Sequence, residues 1–245
     1  ALGCFVSRRR QRAFPETGCR TARALGIATA LAVSGDGRHL YVGTDPGIVV
    51  LRRNRTTGAL AQPPGRAGCL AKKRQFGCRP YRFAGALDLA ISRGGRVAYT
   101  VPIRTHAIAV LRRNRASGAL AHLPGRNGCV AAARIAGCTP VRALRYGESF
   151  SLALSPFGRN LYVPVLGNGF GGIVAFERGK HGALRQLSGG WTCIGSPRRE
   201  GCRPLTPDLT PGVRDFAPDP VRVTPDGRHV IAGSTGLYAF RRRGI

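Results

Sequence analysis

The chain has 245 residues, of which 43% are hydrophobic and 20% charged, enough to build a sizeable core. No apolar run approaches the roughly 18 residues of a membrane-spanning helix, and no basic start followed by an apolar centre opens the sequence as a signal peptide would. The 39 Lys and Arg against 11 Asp and Glu give a formal net charge of +28, almost all of it arginine, since Lys72, Lys73 and Lys180 are the only lysines.

That charge has two readings. Guanidinium groups bind phosphate and carboxylate in forked pairs and attract polyanions over a Debye length. GC-rich coding also raises Arg, Ala and Gly together, so charge alone does not establish nucleic-acid binding. A chain that opens Ala1-Leu2-Gly3-Cys4 and contains no methionine reads as a mature form or a piece, with any export signal upstream.

The first feature in chain order is a cysteine pair, Cys4 and Cys19, enclosing Arg8-Arg9-Arg10-Gln11-Arg12. A phrase then begins that occurs four times at a spacing of about 60 residues: Leu31-Ala-Val-Ser-Gly-Asp-Gly-Arg-His-Leu-Tyr-Val42, then Leu89 to Thr100, Leu152 to Val163 and Val221 to Ala232. A second apolar run follows each copy, at Ile48 to Leu51, Ile108 to Leu111, Ile173 to Phe176 and Leu237 to Phe240. Three of these lead into Gly58-Ala59-Leu60, Gly118-Ala119-Leu120 and Gly182-Ala183-Leu184.

Short runs rich in Val, Ile, Leu and Tyr between Gly, Pro, Asp and Asn are strands joined by tight turns. One unit reads as strand, Gly-Asp-Gly turn, strand, loop, strand, turn, strand: a four-stranded antiparallel meander. Gly37, Gly95, Gly158 and Gly227 supply the positive φ that a two-residue hairpin would need. Repeated small sheets that cannot bury their faces alone pack radially, which predicts an all-β propeller with about four repeats. The expected organisation is a single array over 1–245, with repeats near 26–79, 80–143 and 144–203 and partial ones at 1–25 and 204–245.

Ser34-Gly-Asp-Gly-Arg-His-Leu-Tyr-Val42 and Ser155-Pro-Phe-Gly-Arg-Asn-Leu-Tyr-Val163 resemble the repeat of the bacterial lactonase-like, or YVTN-type, β-propellers. The resemblance runs through all four copies. It implies a ring that closes with seven blades, so this chain reads as an incomplete propeller, and it implies lactone hydrolysis of the 6-phosphogluconolactonase kind as one activity.

All eight cysteines fall between the repeated strands, as Cys4/Cys19, Cys69/Cys78, Cys129/Cys138 and Cys193/Cys202, the last three as C-x8-C. Zinc would need four ligands gathered from closer pairs, so four local disulfides are expected. They place the chain in an oxidising compartment, secreted or extracytoplasmic.

Acidic groups are few enough to place. Asp36, Asp226, His39 and His229 belong to the repeated turns and read as turn residues. Asp88, Glu148, Asp215 and Asp219 precede the first strand of a blade, where they would face a channel mouth as ligand-binding groups. His106, in the loop Pro102 to His106, is the histidine that the repeat explains least. With Arg104 and Glu148 it forms a candidate catalytic set for lactone hydrolysis. No P-loop, dinucleotide fingerprint or nucleophile elbow occurs, and no cofactor is expected.

At the end of each third strand stand Arg52-Arg53, Arg112-Arg113, Glu177-Arg178 and Arg241-Arg242-Arg243, an expected basic rim for acidic glycans, wall polymers or phosphate. Without interleaved aromatics the rim lacks the stacking platform of single-strand binders, which disfavours nucleic acid. Three functions remain: an exported binding or surface scaffold with a protein or polymer partner, a lactone hydrolase, and a polyanion binder.

Overall fold

The computed structural model describes residues 4–13, 15, 18–132, 135–187, 193–196, 202–204 and 216–242. Asp215 and Arg243 lie outside them. The chain divides into two compact units, Ala1–Ile103 with Leu111–Leu123, and Arg104–Val110 with Pro124–Ile245. Both are built from the repeated blade, and the structure is all-β apart from a six-residue helix, α1 (Arg8–Ala13), and short 3₁₀ turns.

An N-terminal pair precedes the blades: β1 (Cys4–Ser7) and β2 (Cys19–Ala22), parallel, with Cys4 opposite Cys19. Blade 1 follows as β3 (Ala28–Val33), β4 (His39–Thr44), β5 (Gly47–Arg53), β6 (Leu60–Ala61), β7 (Cys69–Ala71) and β8 (Arg79–Pro80). Blade 2 repeats this as β9 (Asp88–Ile91), β10 (Val97–Val101), β11 (Ala107–Arg113), β12 (Leu120–His122), β13 (Cys129–Ala131) and β14 (Thr139–Pro140). Blade 3 comprises β15 (Ala153–Leu154), β16 (Asn160–Gly167), β17 (Phe170–Arg178), β18 (Leu184–Gln186), β19 (Cys193–Ser196) and β20 (Arg203–Pro204). Blade 4 is described through β21 (Val221–Val223), β22 (His229–Gly233) and β23 (Leu237–Arg241).

The first three strands of each blade form the expected antiparallel meander, but the outer edge differs from it. In blade 1, β6 covers only Arg52 and Arg53 of β5. The Gly47 to Val49 stretch would then be left with open N–H and C=O groups, which a sheet does not tolerate when buried. The chain returns as β7 to pair there, Cys69 opposite Val49, and β8 adds in parallel to β7. Blade 3 repeats the pattern, with β18 on Phe176 to Arg178 and β19 on Gly171 to Val174. The cysteine segments are therefore part of the blades rather than excursions between them, and the sheets of blades 1 and 3 have six strands where four were expected.

The repeated turn is also longer than a two-residue hairpin. Ser34 N–H donates to His39 C=O, and Gly37 N–H donates back to Ser34 C=O, with Gly37 at φ 67° closing the loop in the left-handed region. Ser34 Oγ accepts from His39 N–H and donates to Asp36 Oδ1 at 2.6 Å, and Thr224, Asp226 and His229 repeat the arrangement in blade 4.

Packing runs blade on blade within each unit. The first strands β3 and β9 lie side by side in the first unit, and β15 and β21 in the second, which makes the Leu-Ala-Val-Ser strand the innermost one. In the first unit Ala22, Val42, Val49, Leu51, Cys69 and Cys78 form one apolar cluster, with Phe5 packed against it. In the second, Tyr162, Ile173, Phe216, Val221 and Val230 form another. Each buried side chain of this size contributes about 1.5 to 3 kcal/mol.

All four cysteine pairs are bonded, Cys4–Cys19, Cys69–Cys78, Cys129–Cys138 and Cys193–Cys202, with Cα separations of 4.7, 4.9, 4.8 and 4.4 Å. Each disulfide joins an outer-edge strand to the start of the parallel strand beside it. Four such bonds point to an oxidising environment. No helix is long and apolar enough to cross a membrane.

Candidate functional sites at the two ends of the blades

An antiparallel meander alternates its ends, so the turns after the first and third strands share one end of a blade. The loop after the second strand and the entry into the next blade share the other. The sequence candidates divide accordingly, with arginines at the first end and His106, Glu148, Asp88 and Asp219 at the second.

At the arginine end the doublets alternate in role, as the two-residue period of a strand requires. Arg52, Arg112 and Arg241 are exposed. The second member of each doublet turns inward, and this corrects the expected rim. Arg113 is only 3% exposed. Its Nε donates to Tyr41 Oη at 2.5 Å, one amino group donates to Gly95 C=O at 2.8 Å, and the other reaches Asp36 at 3.2 Å and His39 Nδ1 at 2.8 Å. Tyr41 Oη in turn donates to Gly118 C=O at 2.8 Å. A blade 2 arginine thus bolts three side chains of blade 1. Arg242 repeats this on blade 3, with one amino group on Gly227 C=O, the other on Asn160 Oδ1 at 2.8 Å, and its guanidinium 5.7 Å from the Tyr162 ring centroid.

Asp36, Tyr41 and His39 are electrostatically tied to that arginine. Partial burial pushes the Asp36 carboxyl up, but hydrogen bonds from Ser34 and Arg38 and the charge of Arg113 outweigh it and hold it well below the usual carboxylate range. Burial pushes the Tyr41 hydroxyl up to about 12. Burial first, and then Arg113, hold His39 below the ordinary histidine value. Asp36 and His39 are therefore more than turn residues.

A groove of about 930 Å³ opens beside blade 1, lined by Arg20, Arg38, Arg52, Arg53, Arg55 and His39 among others, with no acidic side chain among the described residues of its wall. Arg20 joins it from β2, a contribution that no repeat pattern could reveal.

At the opposite end, His106 sits half-buried in the loop between β10 and β11. Its Nδ1 lies 2.7 Å from Gly147 C=O and 3.1 Å from Leu144 C=O. Facing two carbonyl oxygens, Nδ1 carries a proton, so in the neutral ring the lone pair is on Nε2. Gly147 itself runs close against the neighbouring strand: a Cβ there would lie 2.3 Å from the Leu166 backbone. The adjacent Glu148 pairs with Leu166 through both backbone groups, at 2.9 and 2.8 Å, so the strand pairing fixes the carbonyl that orients the ring.

Glu148 is half-buried one residue beyond the carbonyl that holds His106, and Arg104 is exposed two residues before His106 at φ 50°. No hydrogen bond or ion pair joins their side chains among the described residues. Asp88 commits one oxygen to Leu89 N–H at 2.7 Å, and Asp219 is exposed with its N–H on Gly233 C=O. Among the described residues no three His, Cys, Asp or Glu side chains gather as metal ligands.

This fold is shared with solved structures. The chain superposes on a candidate 6-phosphogluconolactonase from Bacteroides fragilis with a TM-score of 0.56 at 17% identity, covering 87% of this chain and 50% of that one. It superposes on the periplasmic gluconolactonase PpgL of Pseudomonas aeruginosa at 0.55 and 19% identity, covering 87% and 53%. A chain of the Mitotic Checkpoint Complex matches at 0.51 and 13% identity, covering 89% and 49%. These likenesses establish the fold, a β-propeller arrangement of blades, and the spread of their functions shows why fold alone does not assign an activity. The chain spans about half the length of each of them. No protein-family model and no curated protein sequence matches it.

Proposed function

We propose that the chain is an exported sugar-lactone hydrolase of the lactonase-like, YVTN-type propeller kind, rather than a binding scaffold alone. The observation that carries this reading is the His106 ring, held by Leu144 and Gly147 carbonyls in the tautomer that leaves Nε2 as a base. Its place in the loop before a third strand, next to Glu148 and near the exposed Arg104, supports a role toward a ligand at that end of the blade. The fold likeness to two gluconolactonase-type structures supports the choice of lactone.

In this reading Nε2 takes a proton from water as its oxygen attacks the lactone carbonyl, and the Arg104 guanidinium faces the developing oxyanion. The ring C–O bond then breaks and the leaving alkoxide takes the proton back, giving the open-chain acid. The experiment is acid release from glucono-1,5-lactone at constant pH by the oxidised chain. Opening well above the spontaneous rate is expected; a rate equal to buffer alone contradicts the proposal.

A second reading, polyanion binding, is favoured by the acid-free arginine groove. It predicts retention on heparin that falls steeply with salt. Replacing Arg38, Arg52 or Arg55 by Ala should each take about one unit off the slope of log affinity against log salt. Salt-insensitive retention contradicts it.

A further inference from the structure

We infer that the arginine end of the first compact unit binds one linear polymer bearing phosphate or sulfate groups, laid across blades 1 and 2 together. This rests on the polyanion reading and extends it, from a groove on blade 1 to a track two blades long with a stated ligand chemistry.

Charge is separated within that unit. Its described acidic residues are Asp36, Asp45 and Asp88. Asp45 lies in the loop between β4 and β5 and Asp88 opens β9, so both stand at the end of the blades opposite the arginines. Asp36 alone stands among the arginines, and Arg113 neutralises it at 3.2 Å. The exposed cations of this end therefore have no acid left to answer them among the described residues, which leaves their field directed at a ligand.

Those cations recur from one blade to the next. Blade 1 presents Arg38 in the turn after its first strand, Arg52 at the end of its third strand and Arg55 in the hairpin beyond, all exposed. Blade 2 presents Arg96, Arg112 and Arg115 at the same three positions, also exposed. Its turn has Gly94 in place of Asp36 and adds Arg93 in place of Gly35, so the second set is the more basic. The hairpins that carry Arg55 and Arg115 are built alike: Asn54 Oδ1 accepts from the N–H groups of Thr56 and Thr57, and Asn114 Oδ1 from those of Ala116 and Ser117.

A buried joint holds the two sets in register. Arg113, the neighbour of Arg112, reaches from blade 2 to Asp36, His39 and Tyr41 of blade 1. The distance between the sets is thus fixed by packed side chains rather than by loops. The 930 Å³ groove carries the path across, because its wall takes in Arg38, Arg52 and Arg55 of blade 1 together with Ala116 and Ser117 of blade 2, next to Arg115. Two like sets joined by a groove fit a chain with repeated charges; a compact anion would meet only one of them.

The wall also selects the chemistry. Among its described residues it carries no Phe, Tyr or Trp, so it offers no platform on which bases could stack. Recognition falls to guanidinium forks, and a tetrahedral phosphate or sulfate presents several oxygens that accept from more than one fork at once.

Binding of long-chain inorganic polyphosphate to the full oxidised chain at fixed salt tests this, with heparin as the sulfate arm and polygalacturonate as the carboxylate arm. The unaltered chain should hold long polyphosphate at least about a hundredfold more tightly than tripolyphosphate, because only the long chain meets both sets. R38A/R52A on blade 1 and R112A/R115A on blade 2 should each lower the affinity for the long chain by about tenfold, take about two units off the slope of log affinity against log salt, and remove most of the preference for length. All four side chains are exposed, and an unchanged thermal midpoint verifies the fold of each variant. Long-chain binding that R38A/R52A weakens and R112A/R115A does not overturns the track while leaving polyanion binding in place. Binding of none of the polymers overturns both. Polygalacturonate held as tightly as polyphosphate overturns the ligand class.

Discussion

Replacing Arg113 by Ala should lower the free energy of unfolding by about 3 kcal/mol, while Arg112→Ala, one residue away and exposed, should change it by no more than about 0.5 kcal/mol. The difference rests on what each guanidinium touches. That of Arg113 satisfies Tyr41, Gly95, Asp36 and His39; its removal leaves the buried Tyr41 hydroxyl with its bond to Gly118 alone, takes the ion-pair partner from the Asp36 carboxylate and empties the space the guanidinium fills. Denaturant titration reads it directly. The same cluster sets the acid response. His39 is held below the ordinary histidine value of 6.5, so below that pH the unfolded chain binds a proton that the fold refuses, and stability falls as pH drops. Asp36 is held below the ordinary carboxylate value of 3.8, so its contribution is complete above about pH 4 and is lost on further acidification. In Arg113→Ala both groups move toward their ordinary values, and the dependence on pH between 7 and 4 should flatten.

Reduction of the four disulfides should have the larger total effect. In the chain-entropy picture, loops of nine and fifteen residues each contribute about 3 kcal/mol. Loss of all four, about 12 kcal/mol, is therefore as large as the 5 to 15 kcal/mol typical of a whole domain's stability. The expected result is loss of cooperative unfolding in dithiothreitol at pH 8. The single pair Cys129→Ser/Cys138→Ser should cost about 3 kcal/mol while leaving the chain folded. Each bond pins a cysteine strand such as β13 that completes the outer edge of its sheet, so the loss should appear first as hydrogen exchange at Ile108 and Val130. Retention of the full unfolding midpoint under reduction would show that the edges hold without the bonds.

The blade was legible in the sequence because its information is local. A Gly-Asp-Gly turn between two short apolar runs needs no distant partner to be recognised, and four copies exclude coincidence. The outer edge was not legible. Cys-Leu-Ala and Arg-Pro are too short to carry a strand signal, and they become strands only because β5 leaves half of its edge open. The even spacing of Arg52 and Arg53 did contain the alternation that turns one outward and the next inward. The turn residues Asp36 and His39 became legible as a socket only once Arg113, more than seventy residues away, was placed beside them and the nearby Tyr41. His106 stood out as the histidine outside the repeat. What holds it, the backbone carbonyls of Leu144 and Gly147, lies in the path of the chain rather than in residue types.

The most direct test of the functional account is the hydrolysis of glucono-1,5-lactone by the oxidised chain and by His106→Ala, with the thermal midpoint of both measured alongside. The account predicts that kcat/KM falls by about 10² to 10³ in the variant, the range for loss of a general base, with the midpoint changed by only a few degrees. A variant that opens the lactone as fast as the unaltered chain would contradict it.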